Sequence, residues 1–129
     1  MSYDKSTVVS FKADEAISEF QLVSVKDNGK LVVTEAATDA RCVGVAQRSC
    51  NAGDMVDVVI LGLTRAIAGG SITFNTSPLV MATSNGKIAA HATTGNYSIG
   101  RVIANVNQLS ASANEQIVIV FTGANNLVP

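Results

Sequence analysis

Leu22-Val23-Ser24-Val25-Lys26-Asp27-Asn28-Gly29-Lys30-Leu31 is answered 57 residues later by Leu79-Val80-Met81-Ala82-Thr83-Ser84-Asn85-Gly86-Lys87-Ile88. In each copy an apolar run leads into Asn-Gly, the pair favoured where a type I′ turn needs two residues at positive φ, and a lysine follows. Two β-hairpins are expected. Moving outward, Val43-Gly44-Val45-Ala46 is matched by Ile99-Gly100-Arg101-Val102. Val56-Asp57-Val58-Val59-Ile60-Leu61-Gly62 is matched by Ile117-Val118-Ile119-Val120-Phe121-Thr122-Gly123, so the blocks keep their order. The pattern reads as a duplicated β unit over about 20–62 and 77–123, neither copy closing a core alone. The apolar strands 56–61 and 117–121 lack alternation and are expected at the centre, buried on both faces. Gly44 and Gly100 are expected where two backbones approach closely or a strand bends.

Val, Ile, Thr and Phe recur elsewhere in short runs cut by Gly, Asn and Asp, with no sustained helical period. Strands are expected over 7–11, 20–25, 30–34, 42–46, 55–61, 63–68, 79–82, 87–90, 99–106 and 116–122. The segments 13–19 and 35–40 carry faint helical signals but read better as polar loops. The fold class is all-β: a small β-sandwich or β-barrel built from two repeated β units. Residues 1–11 are expected to form an extended N-terminal arm on a single β domain spanning 12–129.

Composition narrows the function. The 129 residues carry nine Lys/Arg and ten Asp/Glu, a net charge of −1, where a typical domain of this length has about 32 charges. From Ala66 onward only Lys87, Arg101 and Glu115 are charged, which suits a surface covered by other protein. No nucleic acid partner is expected, because such binders need basic patches to displace counterions. No membrane partner is expected either: no apolar run reaches the roughly 20 residues of a span, and Met1 to Lys5 lack a signal-peptide core. The chain is expected to be made and kept in a cytoplasm, with Cys42 and Cys50 as free thiols, the alternative being a local Cys42–Cys50 bridge.

Catalytic patterns are absent from the sequence, and no cofactor is expected. The single histidine, His91, has no carboxylate or nucleophile at a telling spacing. Ser49-Cys50-Asn51-Ala52-Gly53 reads as a turn, and Asp54 and Asp57 have no partner to tune them for acid–base work. Asn85-Gly86-Lys87 lacks the glycine and Ser/Thr of a phosphate loop. A swinging-arm carrier modified on Lys30 or Lys87 is a rival reading, although the motif's flanking methionines are missing. A carbohydrate-binding module is another, weakened by aromatics at only 5% of residues and no Trp.

The run Phe20-Gln21-Leu22-Val23-Ser24-Val25, then Val43-Gly44-Val45-Ala46, Asn51-Ala52-Gly53-Asp54 and the strand 56–62, followed by a second round, resembles the capsid cement (decoration) proteins of tailed bacteriophages. The resemblance runs from about Phe11 to Gly123. It departs from the pattern at Ala111-Ser112-Ala113-Asn114, which lacks the Gly-Asp of the first turn. It implies a non-enzymatic virion structural protein, commonly a homotrimer, that binds the capsid exterior and clamps neighbouring copies of the major capsid protein. The termini are then the candidate contacts. Tyr3 and the strand Thr7, Val8, Val9, Ser10 and Phe11 would add to a sheet edge of a capsid subunit, or the strand would pair within its own fold. Leu127 and Val128 are candidate oligomer contacts.

Overall fold

Strand-forming runs separated by turn residues fold, in the computed structural model, into eleven strands with no α-helix among the described residues. Those residues are 6–75, 78–91, 96–104, 106 and 108–127, the last four by backbone alone. The strands are β1 (Thr7–Lys12), β2 (Leu22–Val25), β3 (Leu31–Val33), β4 (Cys42–Ala46), β5 (Met55–Ile67), β6 (Ile72–Thr73), β7 (Leu79–Ala82), β8 (Ile88–Ala90), β9 (Tyr97–Val102), β10 (Ser110–Ala111) and β11 (Gln116–Leu127). One sheet has the order β3-β2-β4-β5-β11-β9-β7-β8, with β1 also paired to β5, and β6 and β10 form a separate ladder.

The order is a palindrome around the β5–β11 pair, and the registers show why. Val23 faces Val33 and Gly44, while Val80 faces Ala90 and Gly100. Val45 pairs with Val59 as Arg101 pairs with Val120. The duplication reaches beyond the hairpins. Phe11 pairs with Val56 as Ala66 pairs with Ile117, so β1 opens the first unit as the end of β5 opens the second. The parallel bridge Ala13–Leu31 is repeated by Ala68–Ile88, and the Ile17–Cys50 bridge by the Ile72–Ala111 pair of the β6–β10 ladder. Each bridge to Leu31 or Ile88 joins a unit's last hairpin strand to its first strand, so each unit curls back on itself as a small barrel.

The two acid-bearing turns also match, despite their different sequences. Gly53 and Asn114 both have positive φ. The Asn51 N–H is held by Asp54 and the Ser112 N–H by Glu115. The missing Gly-Asp is therefore replaced by Asn-Glu, since Asn also tolerates the left-handed region.

Three expectations are corrected. The strands expected over 55–61 and 63–68 are one strand: at Gly62 the ladder passes from β1, which ends at Leu61, to β11, where Gly62 faces Phe121. The central apolar run of the second unit is buried on one face only, whereas in the first unit the neighbours Val58 and Val59 are both buried. Ile117, Ile119 and Phe121 are buried while Val118 and Val120 are half-buried, because a curled sheet turns alternate residues inward. Only the second Asn-Gly turn is of the expected kind, with Asn85 and Gly86 both at positive φ. In the first, Gly29 alone is positive, and the Gly29 N–H bonds to Lys26 O while Lys26 and Lys30 pair. That is a three-residue loop, a type I turn closed by a left-handed glycine.

The barrels have separate interiors. Ala13, Ile17, Val23, Leu31, Val56 and Val58 fill the first. Their counterparts Ala68, Ile72, Val80, Ile88, Ile117 and Ile119 fill the second, and its cluster also takes in Leu22, Cys42 and Val45 from the outer wall of the first barrel. The second barrel is thus packed against the outside of the first. Its hairpin turn makes the joint, with Gly86 N–H bonded to Thr34 O, Asn85 N–H to the Glu35 carboxylate and Gln21 Nε2 to Asn85 O.

Candidate functional site

Strand β1 pairs with β5 inside its own fold, in the register Val8–Val59 to Lys12–Met55. It is nonetheless on the outside. Val8 and Val9 are 52% and 38% exposed, while Phe11 is half-buried against the first barrel's interior. The Ser10 hydroxyl donates to Asp57 Oδ1 and Ser6 to Leu63 O, which fix the strand against β5 from both ends. Tyr3 and Val128 lie outside the described residues. Leu127 closes β11, its backbone paired with Tyr97.

The sequence reading missed the partners of that strand. Leu61, opposite Thr7, and Leu63 on β5 are exposed near Val8 at the start of β1, giving a short apolar ridge there, while Met55 is exposed at the other end, opposite Lys12. Alternation across Leu61-Gly62-Leu63 was the available signal, obscured by reading Gly62 as a break. An exposed apolar row of this kind marks a surface for another protein. A second apolar stretch, Ile103, Val106 and Leu109, follows β9.

The chemically suggestive residues are occupied structurally. His91 Nε2 bonds to Asn96 O at 2.8 Å. Asp54 accepts the Asn51 N–H and Asp57 the Ser10 hydroxyl. Lys87 donates to Asn114 Oδ1 and is held against the barrel rather than swung out at a hairpin tip. Both cysteines are free. Burial pushes the Cys42 thiol up to about 11, which keeps it in the unreactive protonated form. Among the described residues no group of three or more His, Cys, Asp or Glu is placed to hold a metal ion. Of the described aromatic side chains, Phe11, Phe20 and Tyr97 are half-buried and Phe74 and Phe121 are buried. No helix among the described residues is long and apolar enough to cross a membrane.

One polar cluster is buried and complete. The Ser24 and Thr34 hydroxyls meet at 2.7 Å, and Ser24 donates to Asp39 Oδ2 at 3.0 Å. Partial burial works to raise the Asp39 carboxyl, but hydrogen bonds from the Arg41 backbone, Ser24 and the Arg41 side chain outweigh it and hold it below the usual range. The cluster fixes the loop between β3 and β4.

Known proteins resemble this chain in sequence and in fold. A sequence model of the family described as phage cement protein matches residues 2–121. Among solved structures, the N base of head fiber gp8.5 of bacteriophage phi29 superposes with a TM-score of 0.69 at 14% identity, covering 94% of this chain and 98% of that one. No curated protein matches the sequence.

Proposed function

This chain belongs to the phage cement protein family, and from that membership we propose that it binds the outer surface of an icosahedral phage capsid and clamps neighbouring major capsid subunits. Family membership makes it a virion-associated structural protein, with a non-enzymatic role. The finer reading is of a homotrimer on the capsid exterior, made in the host cytoplasm, with Leu127 and Val128 at protomer contacts. Tyr3 and the β1 strand supply the capsid contact, joined by the β5 side chains that flank it.

The observation that carries the capsid contact is the exposed ridge of Val8, Leu61 and Leu63. Covering one large aliphatic side chain contributes about 1.5–3 kcal/mol. A few per protomer therefore suffice for a standard interface, once the entropy of association is met. A cement needs no pocket, only area across a seam between subunits.

Shells lacking the protein should bind it saturably and melt at a higher temperature when decorated. The doubly substituted Val8→Asp, Leu61→Asp protein should lose at least about tenfold in shell affinity while keeping its own melting temperature. Absence of binding to any shell of its own virus would overturn the capsid reading. Unchanged binding by the double variant would remove the ridge from it.

A further inference from the structure

The duplication gives every surface residue of one barrel a counterpart on the other, and one face differs sharply between them. In the first barrel the outer wall formed by Leu22, Cys42, Val45 and Val59 is buried, the first three in one cluster with the interior of the second barrel. The counterparts in the second barrel are Leu79, Ser98, Arg101 and Val120. These, with Gly100 and Thr122, line an open groove of about 270 Å³. The groove is the face that the first barrel uses to hold a neighbour, without such a neighbour among the described residues.

The docking element has a free counterpart too. The second barrel holds the first through the turn Ser84-Asn85-Gly86, where a Cβ on Gly86 would lie 2.9 Å from Gln21 Cβ and from Leu22 O. The equivalent turn of the first barrel, Asp27-Asn28-Gly29, is open at its glycine: no atom lies within 4 Å of a Cβ built on Gly29. The differences between the two joints are complementary in charge. Arg101, exposed, stands on the open wall where Val45 stands on the covered one, and Asp27 stands on the free turn where Ser84 stands on the docked one. The Asp27 carboxylate is fully exposed, with only a 3.7 Å approach to the exposed Arg41. Of the lysines beside it, Lys26 is bonded to Asp14, while Lys30 lies on the far side of the turn in sequence.

We propose that the groove lined by Leu79, Arg101 and Val120 is the self-association face of this protein, filled by the Asp27-Asn28-Gly29 turn of a second copy. The contact repeats between chains the barrel-on-barrel joint within the chain, and it brings Asp27 of one copy to the wall that carries Arg101 of the next. The joint is head to tail, so repeating it generates a ring where the rotation closes. It deepens the homo-oligomer of the proposed function and is independent of the capsid.

Sedimentation of the isolated full-length protein over a concentration series tests it. The wild type should associate reversibly. Arg101→Asp and Asp27→Arg should each weaken association by about tenfold, with melting temperatures unchanged because both side chains are exposed. The double variant should recover most of the loss. A wild type that stays monomeric at every concentration overturns the proposal, as do single variants that associate normally or a double variant that recovers nothing. If the wild type is monomeric and Arg101→Asp instead abolishes shell binding, the groove belongs to the capsid. If association behaves as stated while shells bind nothing, the self-association face stands and the capsid reading falls.

Discussion

Replacing Gly100 by alanine tests the close approach on which the barrels depend. An added Cβ would lie 2.3 Å from Val120 O, 3.2 Å from Val120 C and 3.3 Å from Phe121 Cα, all backbone atoms that no rotamer change can move. Relief requires β9 to retreat from β11 by about 1 Å, which stretches local ladder hydrogen bonds past useful length. Two or so bonds at about 1 kcal/mol each, added to about 1–3 kcal/mol for overpacking, give a loss of roughly 3–5 kcal/mol. For a chain of this size that lowers the melting temperature by roughly 10–20 °C. Gly44→Ala should behave alike, since its Cβ would meet Val59 O at 2.3 Å and Val58 Cγ1 at 2.4 Å. Gly70→Ala is the control: nothing lies within 4 Å of its Cβ, and stability should change by less than about 0.5 kcal/mol. Urea unfolding of the three variants decides the matter. A Gly100→Ala protein as stable as the Gly70→Ala protein would refute the account of how β9 and β11 pack.

Gly86→Ala should destabilise more than Gly29→Ala by at least about 1 kcal/mol in urea unfolding, because both lose a left-handed glycine but only Gly86 is wedged against Gln21 and Leu22. The depressed Asp39 carboxyl contributes stability that is present above its unfolded value near 3.8 and lost as pH falls through the lower folded value. The urea midpoint of the wild type should therefore drop in that acid window by more than that of Asp39→Asn; parallel pH profiles would contradict it. In native buffer a thiol reagent should modify Cys50 but reach the buried Cys42 only as the protein unfolds, giving one fast equivalent and one limited by opening. Two fast equivalents would place Cys42 wrongly.

The hairpins, the Gly44 and Gly100 strands and the all-β class were legible because each rests on local chemistry: strand-forming side chains, Asn-Gly pairs, a glycine inside an apolar run. The full extent of the repeat was not. Phe11 and Ala66 are equivalent by register but share no chemical identity, and Gly53-Asp54 and Asn114-Glu115 make one turn with different residues. Backbone hydrogen bonds carry these equivalences, and they leave little trace in side chains. Reading strand 7–11 as an arm followed from the same blindness, since its partner is β5, more than 40 residues away. Burial on both faces was also misread for 117–121, because Val118 and Val120 sit on a half-covered wall where β-branched residues are equally at home.

The scarcity of charge after Arg65 takes on two causes once the joint between the barrels is known. Part of it is internal: the turn that docks on Leu22 and Thr34 buries Gly86 against the backbone of the first barrel, where a charged side chain would have to be desolvated beside backbone oxygens. That part needs no partner molecule. The remainder lies on the groove wall, where Leu79 and Val120 face solvent around a single cation. A wall needed only for solubility would gain from more charges of both signs. One arginine in an apolar setting suits a site that recognises one acidic group and excludes water around it, since isolated complementary charges fix register while the apolar surround supplies affinity. The two causes separate by experiment. Adding a carboxylate at Gly86, buried against Leu22, should damage the folded monomer, whereas adding one at Thr122, exposed on the groove rim, should leave folding intact and change only association. Equal loss of stability in both variants would mean that the low charge of the second barrel belongs to its own packing and not to a neighbour.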